Sequence, residues 1–201
     1  EDVFGLQFAM DGLGGIAMGY DPQSYQTIQR GTYDVKNGRV LGKWQNLYEG
    51  IARANGVLQN VDRCQMSDEL KVQYKAEAKF MRALYYFTLM DFFGGVPLYD
   101  ESVIVSESYS EMKNKRESIE NVRAFILKDL KEAADKLPEA WDKANYGRAT
   151  KYAALAQMGK VYLYAKDYQH AKDCFQQVIS SGKYALYDNY ADLFKPGGDE
   201  S

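Results

Sequence analysis

Three tyrosines near the start of the chain, Tyr20, Tyr25 and Tyr33, lie among amide and charged side chains and outside any helical stripe, with Asn37 and Arg39 close behind. A tyrosine offers an apolar ring and a hydroxyl group, so it suits ligands that combine both characters. An aromatic wall with a few polar groups at its rim is the general form of a small-molecule site. Sugars, which present C–H faces and hydroxyls, are the ligands that these five residues would take. The alternative is ordinary loop packing or contact with a protein partner.

Other residues with chemical potential lack the partners that catalysis or metal binding needs. His170 is the one histidine, and no further ligands stand at metal-site spacing around it, so we interpret it as solvated. The chain has no G-x-S-x-G elbow that would support a Ser-His-Asp triad. The glycine-rich run 12–15 is not followed by Lys-Ser/Thr and is therefore not a phosphate loop. We predict neither a cofactor nor a metal site.

The acidic residues and cysteines also give no catalytic motif. Glycoside hydrolysis needs two carboxyl groups facing each other in a cleft. The candidate acids are interpreted instead as solvated charge on helix outer faces or at chain ends; they are Asp129, Glu132, Asp135 and Glu200. Cys64 and Cys174 form no CxxC motif, and their pairing cannot be decided from sequence. The sequence therefore predicts that the protein is not an enzyme.

Length, charge and hydropathy reduce the number of protein classes to which the chain can belong. The chain has 201 residues, which corresponds to one domain or two small ones, and 46% of them are hydrophobic. The net charge is −3 and no cationic stripe is present, which argues against nucleic acid as a partner. The most apolar stretch, residues 80–99, is interrupted by Arg82 and Asp91, so it is not a membrane span.

The elements that must position these residues are helices. Residues 1–43 are rich in glycine and predict loops, and an apolar stripe from Trp44 to Val61 then predicts a helix. Asn55 lies on the same face and must find a partner, most simply a backbone carbonyl of the neighbouring helix. Capping and stop signals predict four more helices: Ser67 to Gly94, Ser118 to Leu137, Thr150 to Ala165 and Tyr168 to Ser181.

The last two helices match a repeat signature. Gly159-x2-Tyr162 followed by Ala171-x3-Phe175 has the offsets of a tetratricopeptide repeat, in which a small residue accepts a bulky side chain from the next helix. A single repeat cannot bury its faces, so the earlier helices should stack on it. The predicted fold is all-α, with paired antiparallel helices in a tetratricopeptide-like superhelix.

Four segments, in order, resemble the SusD/RagB family of outer-membrane nutrient-binding lipoproteins. They are Trp44-x2-Leu47-Tyr48-x2-Ile51-x2-Ala54-Asn55, Glu77-Ala78-Lys79-Phe80-Met81-Arg82-Ala83-Leu84-Tyr85-Tyr86-Phe87 running into Phe93-Gly94-Gly95-Val96-Pro97, Ile126-x2-Asp129-Leu130-x2-Ala133, and Gly147-Arg148-Ala149-Thr150-Lys151. The resemblance implies a SusD-like helical-repeat region over 44–194, behind a loop-rich N-terminal segment over 1–43. It also implies that residues 195–201 begin a missing C-terminal half.

The resemblance further implies a function and a location. Such a protein would be lipid-anchored at the outer membrane and exposed at the cell surface, with the anchor outside this fragment. It would bind an oligosaccharide or other nutrient oligomer and deliver it to a SusC-like TonB-dependent transporter. In this family, loops ahead of the Trp44-type helix commonly contribute to the glycan site. The alternative is a tetratricopeptide scaffold that binds peptides or protein partners in a helical groove.

Overall fold

The regular structure of the chain is helical. A computed structural model describes residues 25–34, 36–103, 115–186 and 188–191, and this part contains no strand. Its helices are α1 (Tyr25–Gln29), α2 (Gly38–Asn60), α3 (Asp68–Phe93), α4 (Ile119–Lys136), α5 (Lys151–Tyr164) and α6 (Tyr168–Ser180), with 3₁₀ turns at Val61–Arg63 and Lys143–Asn145. Residues 195–201 lie outside the described ranges.

The predicted helix starts and stops are confirmed by their capping residues. The side-chain oxygens of Ser67, Ser118 and Thr150 each accept a hydrogen bond from the backbone N–H three residues further on. Each bond satisfies one of the N–H groups that a helix start leaves without a partner. Gly94 follows α3 with a φ of 73°, a left-handed conformation that favours glycine.

Helix α2 begins at Gly38, ahead of the stripe that starts at Trp44, and α1 lies within the segment expected to be loop-rich. Asn37 explains the early start, because its side-chain oxygen accepts hydrogen bonds from the N–H groups of Arg39 and Val40. The first buried residue of α2 is Leu47. Apolar periodicity detects only the part of a helix that is buried, so the first turns of α2 escaped it.

Helices α2 to α6 pack in chain order, each against the next, and α3 also contacts α5. The core lies between α3 and α4. The fully buried apolar residues on those two helices are Ala83, Tyr86, Leu89, Val122, Ile126, Leu130 and Ala133. This sequential stacking is the arrangement of a helical-repeat protein, in which each layer buries the face of its neighbour.

The small-to-large fit predicted for the last helix pair is present. A Cβ atom at Gly159 would lie 2.6 Å from the ring of Phe175, so only glycine fits at this crossing of α5 and α6. The α2–α3 crossing repeats the arrangement, since a Cβ atom at Gly50 would lie 2.6 Å from the Tyr85 ring. Both crossings bring a backbone close to an aromatic side chain.

Asp129 was expected to be solvated, and this prediction is wrong. Its side chain is 2% exposed, and its two oxygens accept hydrogen bonds from Nε and Nη2 of Arg82 at 2.7 and 2.9 Å. Its position in α4, three residues after Ile126 and directly before Leu130, places it on the buried stripe that faces α3. A charged residue on such a stripe needs a partner of opposite charge, and Arg82 provides it.

Arg82 also joins two further elements. Its Nη1 donates to Oδ1 of Asn55 in α2 at 2.7 Å and to Oε2 of Glu101, in the segment after α3, at 2.6 Å. Burial alone would lower the pKa of Arg82, but the hydrogen bonds and charges of Asp129 and Glu101 outweigh it and raise that pKa. We call these four residues the buried charge cluster. It connects three helices and one loop.

The segment that follows α3, residues 97–103, runs along α2 and α3 and is held by its backbone. The carbonyls of Pro97, Tyr99, Glu101 and Val103 accept hydrogen bonds from Tyr48, Asn55 and Gln59 of α2 and from Tyr86 of α3. Every second carbonyl is used, as expected for an extended chain lying along a helix. Asn55 therefore bonds to a loop carbonyl and to Arg82, not to a carbonyl of the neighbouring helix.

Candidate functional site

The residues predicted to bind a ligand belong to the stretch that leads into α2. Tyr20 lies outside the described residues, and Tyr25 is the first residue of α1. Tyr33 lies in the turn between α1 and α2, and 49% of its surface is exposed. Arg39 is half-buried in the first turn of α2. The structure thus places Tyr33 on the connection and Arg39 at the start of the helix that follows it, with Tyr33 open to solvent.

Asn37 holds this connection together. Its oxygen caps α2, and its Nδ2 donates a hydrogen bond to Oγ1 of Thr27 in α1 at 3.1 Å. The side chain is nearly buried, with 9% of the residue exposed. Asn37 is therefore placed to fix the conformation around Tyr33, whereas the sequence had suggested it for the rim of a site.

A second concave surface, which the sequence did not predict, lies between α2 and α3. We call it the α2–α3 groove; it has a volume of about 410 Å³. Its lining residues are Asn46, Glu49, Gly50, Arg53, Ala54, Val57, Tyr74, Glu77, Ala78, Met81 and Tyr85. The available sequence signal was the small residues Gly50 and Ala54, spaced four apart on α2, which give this face of α2 a low surface against which α3 packs closely.

The other residues that the sequence singled out for possible chemistry are described one by one. The His170 ring is 63% exposed, and its Nδ1 lies 2.7 Å from Oδ2 of Asp167. Within the described ranges, no group of three metal-ligating side chains comes together, and no helix is both long and apolar enough to cross a membrane. Both cysteines are free thiols, Cys64 exposed and Cys174 buried.

Comparison with known proteins identifies the scaffold. The family model described as "Starch-binding associating with outer membrane", SusD-like, matches residues 11–163. The chain belongs to the SusD-like family. Its all-helical architecture agrees with this assignment, because solved structures titled SusD-like superimpose on most of the chain.

Individual SusD-like relatives cover much of this chain but are far longer. SusD-like protein P25 of Formosa agariphila is 30% identical over 166 residues, which is 82% of this chain and 31% of that protein. The structure titled "Laminarin binding SusD-like protein" superimposes with a TM-score of 0.80 and 31% identity over 87% of this chain and 38% of its own. Surface glycan-binding protein A from Bacteroides thetaiotaomicron, in complex with laminarihexaose, superimposes with a TM-score of 0.76 and 26% identity. The match covers 90% of this chain and 38% of that protein. The chain thus spans about a third of these SusD-like proteins.

Proposed function

We propose that the whole protein binds an oligosaccharide at the cell surface and delivers it to a SusC-like TonB-dependent transporter without breaking any bond. The observation that carries the proposal is the superposition on a laminarin-binding protein and on a glycan-binding protein holding laminarihexaose, each over most of this chain. The protein would be lipid-anchored at the outer membrane. The family description places its members there as starch-binding proteins.

Two of the acids considered for glycoside hydrolysis, Asp129 and Glu132, are engaged in ion pairs between helices. Asp129 accepts hydrogen bonds from Nε and Nη2 of the buried Arg82 guanidinium, and Glu132 is paired with Lys79. A retaining or inverting glycosidase instead needs two carboxyl groups that face the substrate, one of them able to donate a proton. Asp129 and Glu132 are engaged with cations and serve the packing of α3 against α4.

The connection between α1 and α2 supplies the first set of proposed sugar contacts. The exposed ring of Tyr33 would stack on a sugar face, with Tyr20 and Tyr25 as further aromatic contacts and Arg39 as a hydrogen-bond donor. Asn37 would act through its neighbours, by fixing the backbone that presents Tyr33. The helices behind this connection would provide a rigid support and the surface that faces the transporter.

Calorimetry on the full-length protein tests the binding step, with laminarihexaose and maltohexaose as probes. We expect at least one of them to bind, and Tyr33→Ala to weaken binding about fivefold or more through loss of one ring contact. Tyr146→Ala is the matched control, because this tyrosine is also exposed, at 72%, but lies in the loop before α5. If neither sugar binds, nor any polysaccharide, and a peptide binds instead, the scaffold alternative replaces this proposal.

Purification from outer membranes tests the delivery step. We expect the full-length protein, solubilised in mild detergent, to carry a TonB-dependent transporter with it in a near-equal amount. A binding protein that acts alone would purify without one, and that result would contradict the delivery step while leaving sugar binding intact.

A further inference from the structure

The floor of the α2–α3 groove is built from small residues. Ala54 of α2 packs against Ala78 of α3, and the Tyr85 ring lies across Gly50 so closely that no side chain fits there. The groove therefore has an apolar floor with an aromatic ring on it. Its volume of about 410 Å³ falls in the range of small-molecule sites, about 300–1,000 Å³.

The tyrosines of this groove differ from those of the core in the hydrogen bonding of their hydroxyl groups. The hydroxyls of Tyr48 and Tyr86 are bonded to the backbone of residues 97–99. Among the described residues, the hydroxyls of Tyr74 and Tyr85 have no hydrogen-bond partner. Tyr74 is exposed and Tyr85 is partly exposed, so both hydroxyls can bond to a polar ligand in the groove.

The charged groups around the groove are already neutralised in pairs. Arg53 lies 2.5 Å from Glu49 on one side, and Arg148 lies 2.7 Å from Glu77 on the other. The Arg148 guanidinium also lies 5.6 Å from the centre of the Tyr74 ring, which helps to fix that ring. An ionic ligand would have to compete with these pairs, whereas a neutral ligand with many hydroxyls can bond to their outer atoms.

The side walls of the groove are apolar. Val57 and Met81 are 41% and 39% exposed, and Tyr74 is 38% exposed, so a considerable apolar surface is open beside polar groups. The Asn46 carboxamide has no hydrogen-bond partner within the described part of the chain and adds both a donor and an acceptor. Apolar faces interleaved with neutral hydrogen-bonding groups are complementary to a sugar chain.

We propose that the α2–α3 groove is a second sugar subsite, which binds a neutral oligosaccharide segment separately from the Tyr33 region. This inference rests on the proposed glycan-binding function and adds a location to it. Tyr74 and Tyr85 supply the ring contacts, and Asn46 with the outer atoms of Glu49, Arg53 and Glu77 supplies the hydrogen bonds. A second subsite would let one long glycan contact the protein at two places.

Methyl NMR of the full-length protein reads the occupancy of this groove directly. With ¹³C-methyl methionine, the Met81 resonance, assigned through Met81→Leu, should shift on titration with laminarihexaose or maltohexaose. Met90, which is 8% exposed in the core, serves as the internal reference and should not move. Calorimetry on the same samples reports total binding independently of where the sugar lies.

Two variants on α3 distinguish the loss of a groove contact from a general loss of stability. Tyr74→Ala should weaken the titration of the Met81 resonance about fivefold or more, the effect of losing one ring contact. Leu70→Ala is the matched control, because Leu70 is equally exposed, at 42%, one turn earlier and outside the groove. It should leave the titration unchanged, and both variants should keep the wild-type circular dichroism.

The outcomes distinguish this inference from the proposed function. Heat of binding with a Met81 resonance that stays fixed would overturn the groove site and leave the glycan-binding function standing. No heat of binding with either sugar would count against the proposed function itself. A soluble paramagnetic agent should broaden Met81 in the free protein; a protected methyl would show that another part of the polypeptide covers the groove, and this too would overturn the inference.

Discussion

At the scale of single residues, Arg82 of α3 binds side chains from α2, from α4 and from the segment after α3. Its guanidinium binds Asp129, Asn55 and Glu101 while its side chain is 2% exposed. Replacing it with methionine leaves the Asp129 carboxylate buried without its counter-charge. We expect Arg82→Met to lower the free energy of unfolding by about 3–5 kcal/mol, measured by urea denaturation.

A double variant separates the cost of an unpaired charge from the value of the pair. Arg82→Met combined with Asp129→Leu removes both charges and should recover a large part of the lost stability. If the double variant is as unstable as the single one, the damage comes from lost packing, and the interpretation of Asp129 as an uncompensated charge is wrong.

Glu101 gives a pH dependence with a definite sign. Partial burial would raise its pKa, but the hydrogen bond from Arg82 outweighs this and lowers the pKa below its ordinary value of 4.5. A carboxyl group with a depressed pKa in the folded state stabilises the protein above its unfolded-state pKa, and this contribution is lost as the pH falls through the folded-state value. The stability advantage of wild type over Glu101→Gln should therefore be full at pH 7 and shrink below about pH 4.5.

The measurement is urea denaturation of both proteins between pH 3 and 7. Asp135→Asn provides the control, because Asp135 is an exposed acid on α4 without an ion pair among the described residues. An advantage that is constant with pH would show that Glu101 contributes through packing and not through its charge.

The polar residues show what local sequence can and cannot predict at this scale. Capping by Ser67, Ser118 and Thr150 was predictable because a cap acts on its own helix. The pairing of Arg82 with Asp129 was not, because the two residues are separated by 47 positions and meet only when α3 packs on α4. The one available hint was that Asp129 shares the buried stripe of Ile126 and Leu130.

At the scale of elements, the close crossing of α5 and α6 depends on Gly159. We expect Gly159→Ala to destabilise the chain by about 1–3 kcal/mol, because the new methyl group would overlap the Phe175 ring. Helix propensity alone predicts the opposite sign, since alanine is favoured over glycine by about 1 kcal/mol. Thermal unfolding of the variant measures which effect is larger.

Gly56 is the matched control for this substitution. It is also a helical glycine, but a Cβ atom there would meet nothing within 4 Å. Gly56→Ala should therefore stabilise the chain by about 0.5–1 kcal/mol. In a Phe175→Leu background, Gly159→Ala should lose most of its penalty; equal penalties in both backgrounds would exclude the ring as the cause.

At the scale of the whole molecule, the helices are unequally buried. Helices α3 and α4 contain most of the fully buried residues, whereas α6 buries only Ala171 and Cys174. In a stack where each helix contacts its neighbours, the end of the stack opens at lower cost. Hydrogen exchange of the 201-residue chain should show α6 amides exchanging faster than those in the middle of α3.

Equal protection of α3 and α6 would contradict this expectation and show that the whole stack opens as one unit.

The sequence predicted this stack well, because helical periodicity and caps are local and the repeat signature specified how neighbours pack. It predicted the Tyr33 region from residue types alone. It did not predict the α2–α3 groove, which forms only where Gly50 and Ala54 of one helix meet Tyr85 and Ala78 of another.

The path of the extended segment over 97–103 depends largely on residues outside the segment. The four helix side chains that hold it bond to its backbone, and every residue type has a backbone carbonyl. Some side chains of the segment add contacts of their own: Leu98 packs against the core, Tyr99 contacts the Tyr48 ring, and Glu101 reaches Arg82. Where the segment makes no such side-chain contact, its residue types can change while the course of the chain out of α3 stays the same, because the donors that hold its backbone belong to α2 and α3.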